Sequence, residues 1–180
     1  MPDKATIQQL TDFFGFEALK VEGGQFIQTY KSPEKLPQRV LPPGYNEPHP
    51  MGTAILYFYL SDPDSFSAVH KLPTEEIYHY YLGNPVEMLL LYPDGKTERI
   101  TLGIDVLNGQ KVQFIVPRGV WQSSHLLPGG EYALVGTTMA PGFENGDYQG
   151  GEREALIQRY PQEADLIRQL TRADAPLRIE

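Results

Sequence analysis

The chain has 180 residues, of which 41% are hydrophobic and 21% charged, ordinary values for one globular domain and too short for two. It contains no cysteine, which excludes a disulfide scaffold and any cysteine-built zinc or redox site and suits a cytoplasmic protein. Its 23 acidic against 15 basic residues give a net charge of −8 with no long basic cluster, so nucleic acid and anionic membranes are not expected partners, and neither a signal-peptide pattern nor an apolar run of membrane-spanning length is expected.

Residues 5–14 are predicted to form a short helix: Thr6 and Gln9 fit a capping box, Ile7, Leu10 and Phe14 fall on one face, and Gly15 ends it. Gln25 to Lys31 alternates as a strand after a turn at Gly23-Gly24. Residues 33–52 contain six prolines and read as a long loop, since proline cannot sit in a central strand. The loop serves either as a lid or rim over a barrel mouth, with Arg39 and His49 reaching a ligand, or as a surface excursion or dimer contact.

From Thr53 the pattern is almost all strand: 53–60, 67–72, 76–82, 86–92, 97–102, 112–116, 121–127 and 132–139, punctuated by turn clusters such as Asp62-Pro63-Asp64 and Pro93-Asp94-Gly95. Many short strands with such turns imply an all-β sandwich or barrel. Residues 54–59 and 88–91 are apolar on both faces, so one face lines the interior and the other is covered, with a second subunit as a candidate cover. Two helices, 152–160 and 163–171, are expected to pack outside the barrel, and residues 173–180 to fray.

One segment sets chemically capable side chains inside strand-forming sequence. Alternation places His70 and Leu72 on one face and, after the Pro73-Thr74-Glu75 turn, Glu76, Tyr78 and Tyr80 together on one face, so a histidine and a carboxylate can converge. A second stretch, Val116-Pro117-Arg118-Gly119-Val120-Trp121-Gln122, bends sharply before Gln122. His79 and His125 alternate away and are read as surface, interface or satisfied core histidines, Trp121 as a core or interface anchor and Lys71 as solvated. Glu75 and Glu76 point to opposite faces and do not form a proton-sharing pair. No P-loop, GxSxG, HExxH, EF-hand or GxGxxG pattern occurs.

These two stretches resemble the paired motifs of the cupin superfamily. The first cupin motif carries His-x-His and then a Glu with six residues between it and a Gly; the second carries Pro-x-Gly-x-x-His. This chain has His70-x-Leu72, Glu76 with Gly83, and Pro117-x-Gly119-x-x-Gln122, so two of the four ligand positions match. With Glu22-Gly-Gly-Gln-Phe-Ile-Gln-Thr-Tyr-Lys-Ser32, Glu76 to Pro85 and Ala140-Pro-Gly-Phe143, the chain is similar over roughly residues 5–172 to the cupin-5 branch, which is related in fold to the deoxysugar epimerases.

The resemblance implies a double-stranded β-helix of the jelly-roll kind, a homodimer, and a pocket at the barrel mouth. In that pocket His70, Glu76, Tyr78, Tyr80 and Gln122 would hold a small polar, sugar-like metabolite, with His70 and Glu76 carrying proton transfer in a metal-free isomerase or epimerase that needs no cofactor. The epimerases place their base at a position like His70, but their tyrosine acid falls near Val135, three residues from Tyr132. One alternative is a divalent metal on His70, Glu76 and Gln122 serving oxygenase or lyase chemistry, although Leu72 has no lone pair and Gln122 offers only an amide oxygen. Another is a barrel without chemistry, serving storage or interaction.

Overall fold

In the computed structural model, which describes residues 4–19, 22–173 and 175–179, the alternating segments close into two antiparallel sheets packed face to face. Helix α1 (Lys4–Phe14) leads into β1 (Glu17–Ala18) and β2 (Gln25–Lys31), and the proline-rich segment carries β3 (Lys35–Leu36) and β4 (His49–Pro50). The barrel strands are β5 (Thr53–Leu60), β6 (Phe66–Lys71), β7 (Glu76–Gly83), β8 (Val86–Leu91), β9 (Thr97–Leu102), β10 (Gln113–Val116), β11 (Trp121–Leu126) and β12 (Tyr132–Met139). Strand β13 (Gln149–Gly150) and helices α2 (Arg153–Arg159) and α3 (Ala164–Gln169) follow. One sheet runs β1-β2-β5-β12-β7-β10, the other β13-β6-β11-β8-β9, and β3 pairs with β4.

Side-chain alternation divides the core. Tyr57, Tyr59, Tyr78, Met88, Leu90, Val116 and Val135 fill the space between the sheets. Leu89 and Leu91, the alternate residues of β8, point outward against Leu156, Tyr160, Ile167 and Leu170. Each is fully buried, worth about 1.5–3 kcal/mol relative to exposure. Phe58 and Leu134 pack in the same way against Ile7, Leu10 and Phe14 of α1. The strands that are apolar on both faces are thus covered by the chain's own helices, not by a second subunit.

Three local expectations are corrected. Helix α1 already includes Lys4, so Thr6 lies within the helix and is not its N-cap; the stop at Gly15 holds, with φ 65° and its N–H donating to Thr11 O at 2.9 Å. His49 is 2% exposed, its Nε2 lies 2.9 Å from Asp147 Oδ1 and its Nδ1 2.8 Å from Glu47 O, so it pins the loop and does not reach a ligand. Arg39 is exposed. The described part of the tail does not fray: Leu177 O accepts from Gly150 N at 2.9 Å and Arg178 donates to Tyr148 O at 3.2 Å, while Asp174 and Glu180 lie outside the described residues. Among the described residues no helix is long and apolar enough to cross a membrane.

Candidate binding and proton-transfer site

The site begins at a turn that only glycine can make. Gly23 and Gly24 have φ of 101° and 64°, and a Cβ on Gly24 would meet the Tyr57 hydroxyl at 2.5 Å. The Tyr57 phenol donates to Gly23 O and so fixes this turn against the barrel. Glu22 is thereby laid across β6, its carbonyl accepting from Ala68 N at 2.9 Å and its Oε2 from the Ser67 hydroxyl at 2.9 Å.

His70 on β6 stands opposite Gln122 on β11 in one sheet, and Glu76 comes from β7 in the other. Ser124 pairs with Ser67, so β6 carries an extra residue between its two pairings, while plain alternation along β11 turns both Gln122 and Ser124 to the interior, where Ser124 Oγ lies 2.7 Å from the Tyr59 hydroxyl. Between the sheets opens a cavity of about 450 Å³. Its polar wall includes Glu22, Gln28, Lys31, His70, Glu76 and Thr137. Its apolar wall includes Phe26, Ile55, Leu72, Met139, Phe143 and Ile179 of the docked tail. No residue of 33–52 belongs to the wall, so the proline-rich loop does not cover this cavity.

The imidazole of His70 is 2% exposed and stacks on Tyr148, with ring centroids 5.3 Å apart. Its Nδ1 is 2.8 Å from Ala68 O. A carbonyl only accepts, so Nδ1 carries the hydrogen and, in the neutral ring, Nε2 keeps its lone pair. Nε2 faces Glu76 Oε2 across 4.0 Å, and Glu22 Oε2 lies 3.9 Å from Nδ1 on the other edge of the ring.

Glu76 is 6% exposed and accepts from Gln122 Nε2 at 2.8 Å. Burial raises its pKa above the usual carboxylate range; His70 and the hydrogen bonds from Thr137 and Gln122 oppose that rise, and Glu22 adds to it. Glu75 is exposed, so adjacent residues part to opposite faces as alternation requires.

The expected grouping is brought together in part. His70 and Glu76 meet at the cavity, Leu72 lines it, and Gln122 stands behind as the support of Glu76. Tyr78 and Tyr80 share the face of Glu76 but lie outside the cavity wall: Tyr78 is buried in the interior core, where burial pushes its phenol pKa well up, and Tyr80 donates to Gly83 O at 2.6 Å. His125 turns toward Glu87, 3.4 Å away, and His79 bonds Thr138 Oγ1 at 3.0 Å. Lys71 lies over the half-buried Trp121 ring at 4.6 Å instead of standing free in solvent. Glu22 was not expected at the site, because its approach to residue 70 is tertiary; the carboxylate directly before two glycines was its one sequence signal.

The family model described as Cupin superfamily (DUF985) matches residues 8–150. The chain belongs to the cupin-5 family. This cupin is 32% identical over 135 residues to the uncharacterized protein YML079W of Saccharomyces cerevisiae, a match spanning 71% of this chain and 66% of that protein, just under two thirds of the relative's length. Protein SO0799 from Shewanella oneidensis is 25% identical, with a TM-score of 0.78 over 96% of this chain and 99% of that one. A hypothetical protein from Leishmania major shares the fold at a TM-score of 0.80 and 21% identity, covering 91% of this chain and 97% of its own.

Cupin metal sites gather imidazoles and a carboxylate about one ion, and the donors of this cupin do not fit that pattern. Leu72 presents hydrocarbon, Gln122 turns its amide nitrogen to Glu76 and offers only a neutral amide oxygen in place of an imidazole, and Glu22 and Glu76 flank opposite edges of the His70 ring. Among the described residues no three His, Cys, Asp or Glu side chains are grouped to hold a metal ion.

Proposed function

We propose that this cupin binds a small polar, sugar-like metabolite in the cavity without a metal, with His70 and Glu76 as the polar pair that holds it. The observation that carries this reading is the 2.8 Å contact of His70 Nδ1 with Ala68 O, which orients the ring and leaves Nε2 as an acceptor beside Glu76. The apolar wall suits the C–H face of a sugar ring, and the few convergent polar groups suit its hydroxyls. A carboxylate beside an imidazole also stabilises the imidazolium that forms when a proton is taken up, so isomerisation or epimerisation is the reaction class that the pair would support.

The test is a panel of aldoses and ketoses offered to chelator-treated protein in deuterium oxide, with binding followed by saturation-transfer NMR and exchange by loss of the C–H signal beside the carbonyl. Saturable binding weakened by His70→Gln is expected, with exchange falling about 100-fold or more in that variant. Binding that ignores His70→Gln would overturn the assignment of the site, and binding without exchange would reduce the protein to a carrier. A homodimer belongs to the same reading, supported by exposed Tyr81, Val112 and Ile115 around edge strand β10. Sedimentation showing a monomer at micromolar concentration would remove it.

A further inference from the structure

The charged and lone-pair groups around His70 narrow the chemistry of the ligand, given the reading of the cavity as a metabolite site. His70 Nε2 is an acceptor in the neutral ring, because Nδ1–H is directed to Ala68 O. Among the described residues nothing hydrogen-bonds to Nε2, although the ring is 2% exposed and lines the cavity. Glu76 Oε2 is a second acceptor 4.0 Å away, and Glu22 puts a second carboxylate on the cavity wall. The cation of that wall, Lys31, is drawn to Glu144 at 2.8 Å.

Geometry then separates ligand groups. A donor atom about 2.8 Å from each of two acceptors that are 4.0 Å apart sees them at roughly 90°. A nitrogen bearing two or three hydrogens can donate to both, whereas a hydroxyl has one hydrogen to give. Charge points the same way, since the two carboxylates of a buried pocket attract a cation and repel a phosphate or carboxylate.

We infer that a protonated primary amine seats between His70 Nε2 and Glu76, so that the metabolite is an amino sugar or a comparably small polyhydroxy amine. A cation there also relieves the penalty that burial places on ionised Glu76.

The experiment is saturation-transfer NMR titration with matched sets that differ in one group: glucose, glucosamine, N-acetylglucosamine and glucose 6-phosphate, and the galactose equivalents. In at least one set the amine is expected to bind about tenfold or more tightly than its neutral partner. Acetylation should abolish that preference with no change to the protein, and Glu76→Gln and, separately, Glu22→Gln should reduce it. A neutral sugar or sugar phosphate that binds as well as the amine would overturn this inference and leave the metabolite site standing. No binding by any member would overturn the metabolite reading and the inference with it.

Discussion

Gln122 Nε2 donates to Glu76 Oε2 at 2.8 Å and thereby joins one sheet to the other across the barrel mouth. Both side chains are at least nine-tenths buried, at 1% and 6% exposure, so this donor is not readily replaced by water. Gln122→Leu is expected to lower unfolding free energy at neutral pH by about 1–3 kcal/mol, because a buried carboxylate loses a partner. Urea denaturation measures it, and an unchanged midpoint and slope would show that Gln122 does not support Glu76.

Leu72 and Gln122 occupy the motif positions where the cupin pattern has imidazoles. If those two side chains are what disqualifies the site, Leu72→His with Gln122→His should create a metal centre. Elemental analysis after zinc loading and dialysis is expected to give near one zinc per chain in the double variant and far less in the parent. Near-stoichiometric metal in the parent, lost in His70→Ala, would contradict the metal-free reading.

Glu144 binds Lys31 at 2.8 Å and Lys35 at 3.0 Å, tying the proline-rich segment to the rim of the cavity. Burial works to raise its pKa, but the hydrogen bonds and attraction of the two lysines outweigh that effect and hold it below the ordinary 4.5. A lowered folded-state pKa contributes stability above the unfolded-state value, and that contribution is lost as pH falls through the folded-state value. Wild type should therefore exceed Glu144→Gln in urea-unfolding free energy at about pH 7, and the difference should shrink as pH falls below the ordinary 4.5. A difference constant across that window would contradict the linkage.

The buried His49–Asp147 contact pins the same loop from its other end, with Tyr45 packed edge-on to the imidazole at 4.6 Å. His49→Leu should destabilise the fold by roughly 1.5–3 kcal/mol, the range for a hydrogen bond to a charged group. Limited proteolysis within residues 38–48 should accelerate. Unchanged cleavage would mean that the loop is held by other contacts.

The strands were legible because their alternation and turn residues are local properties, and β5, β8 and β12 fall where the pattern placed them. Two-residue strands such as β3 and β13 were not, since pairing over two residues leaves no periodicity to read. At the site, His70 and Glu76 were visible from alternation and motif spacing. Alternation gives a face but not a depth, which is why Tyr78 and Tyr80 share a face with Glu76 and still lie outside the cavity wall. The approach of Glu22 to His70 and the docking of Ile179 are contacts between residues far apart in sequence, and no local pattern encodes them. Leu89 and Leu91 announced a cover without naming it, and the cover is α2 and α3.

The protonation of the His70 ring tests the site most directly. Long-range ¹H–¹⁵N correlation NMR on protein purified without a tag or added metal reads it, at about pH 8, where an ordinary imidazole is neutral. The signal is assigned by its loss in His70→Gln. The expected result is the Nδ1–H tautomer with a bare lone pair at Nε2. An Nε2–H tautomer, or an Nε2 shifted by coordination to metal, would contradict the site as described.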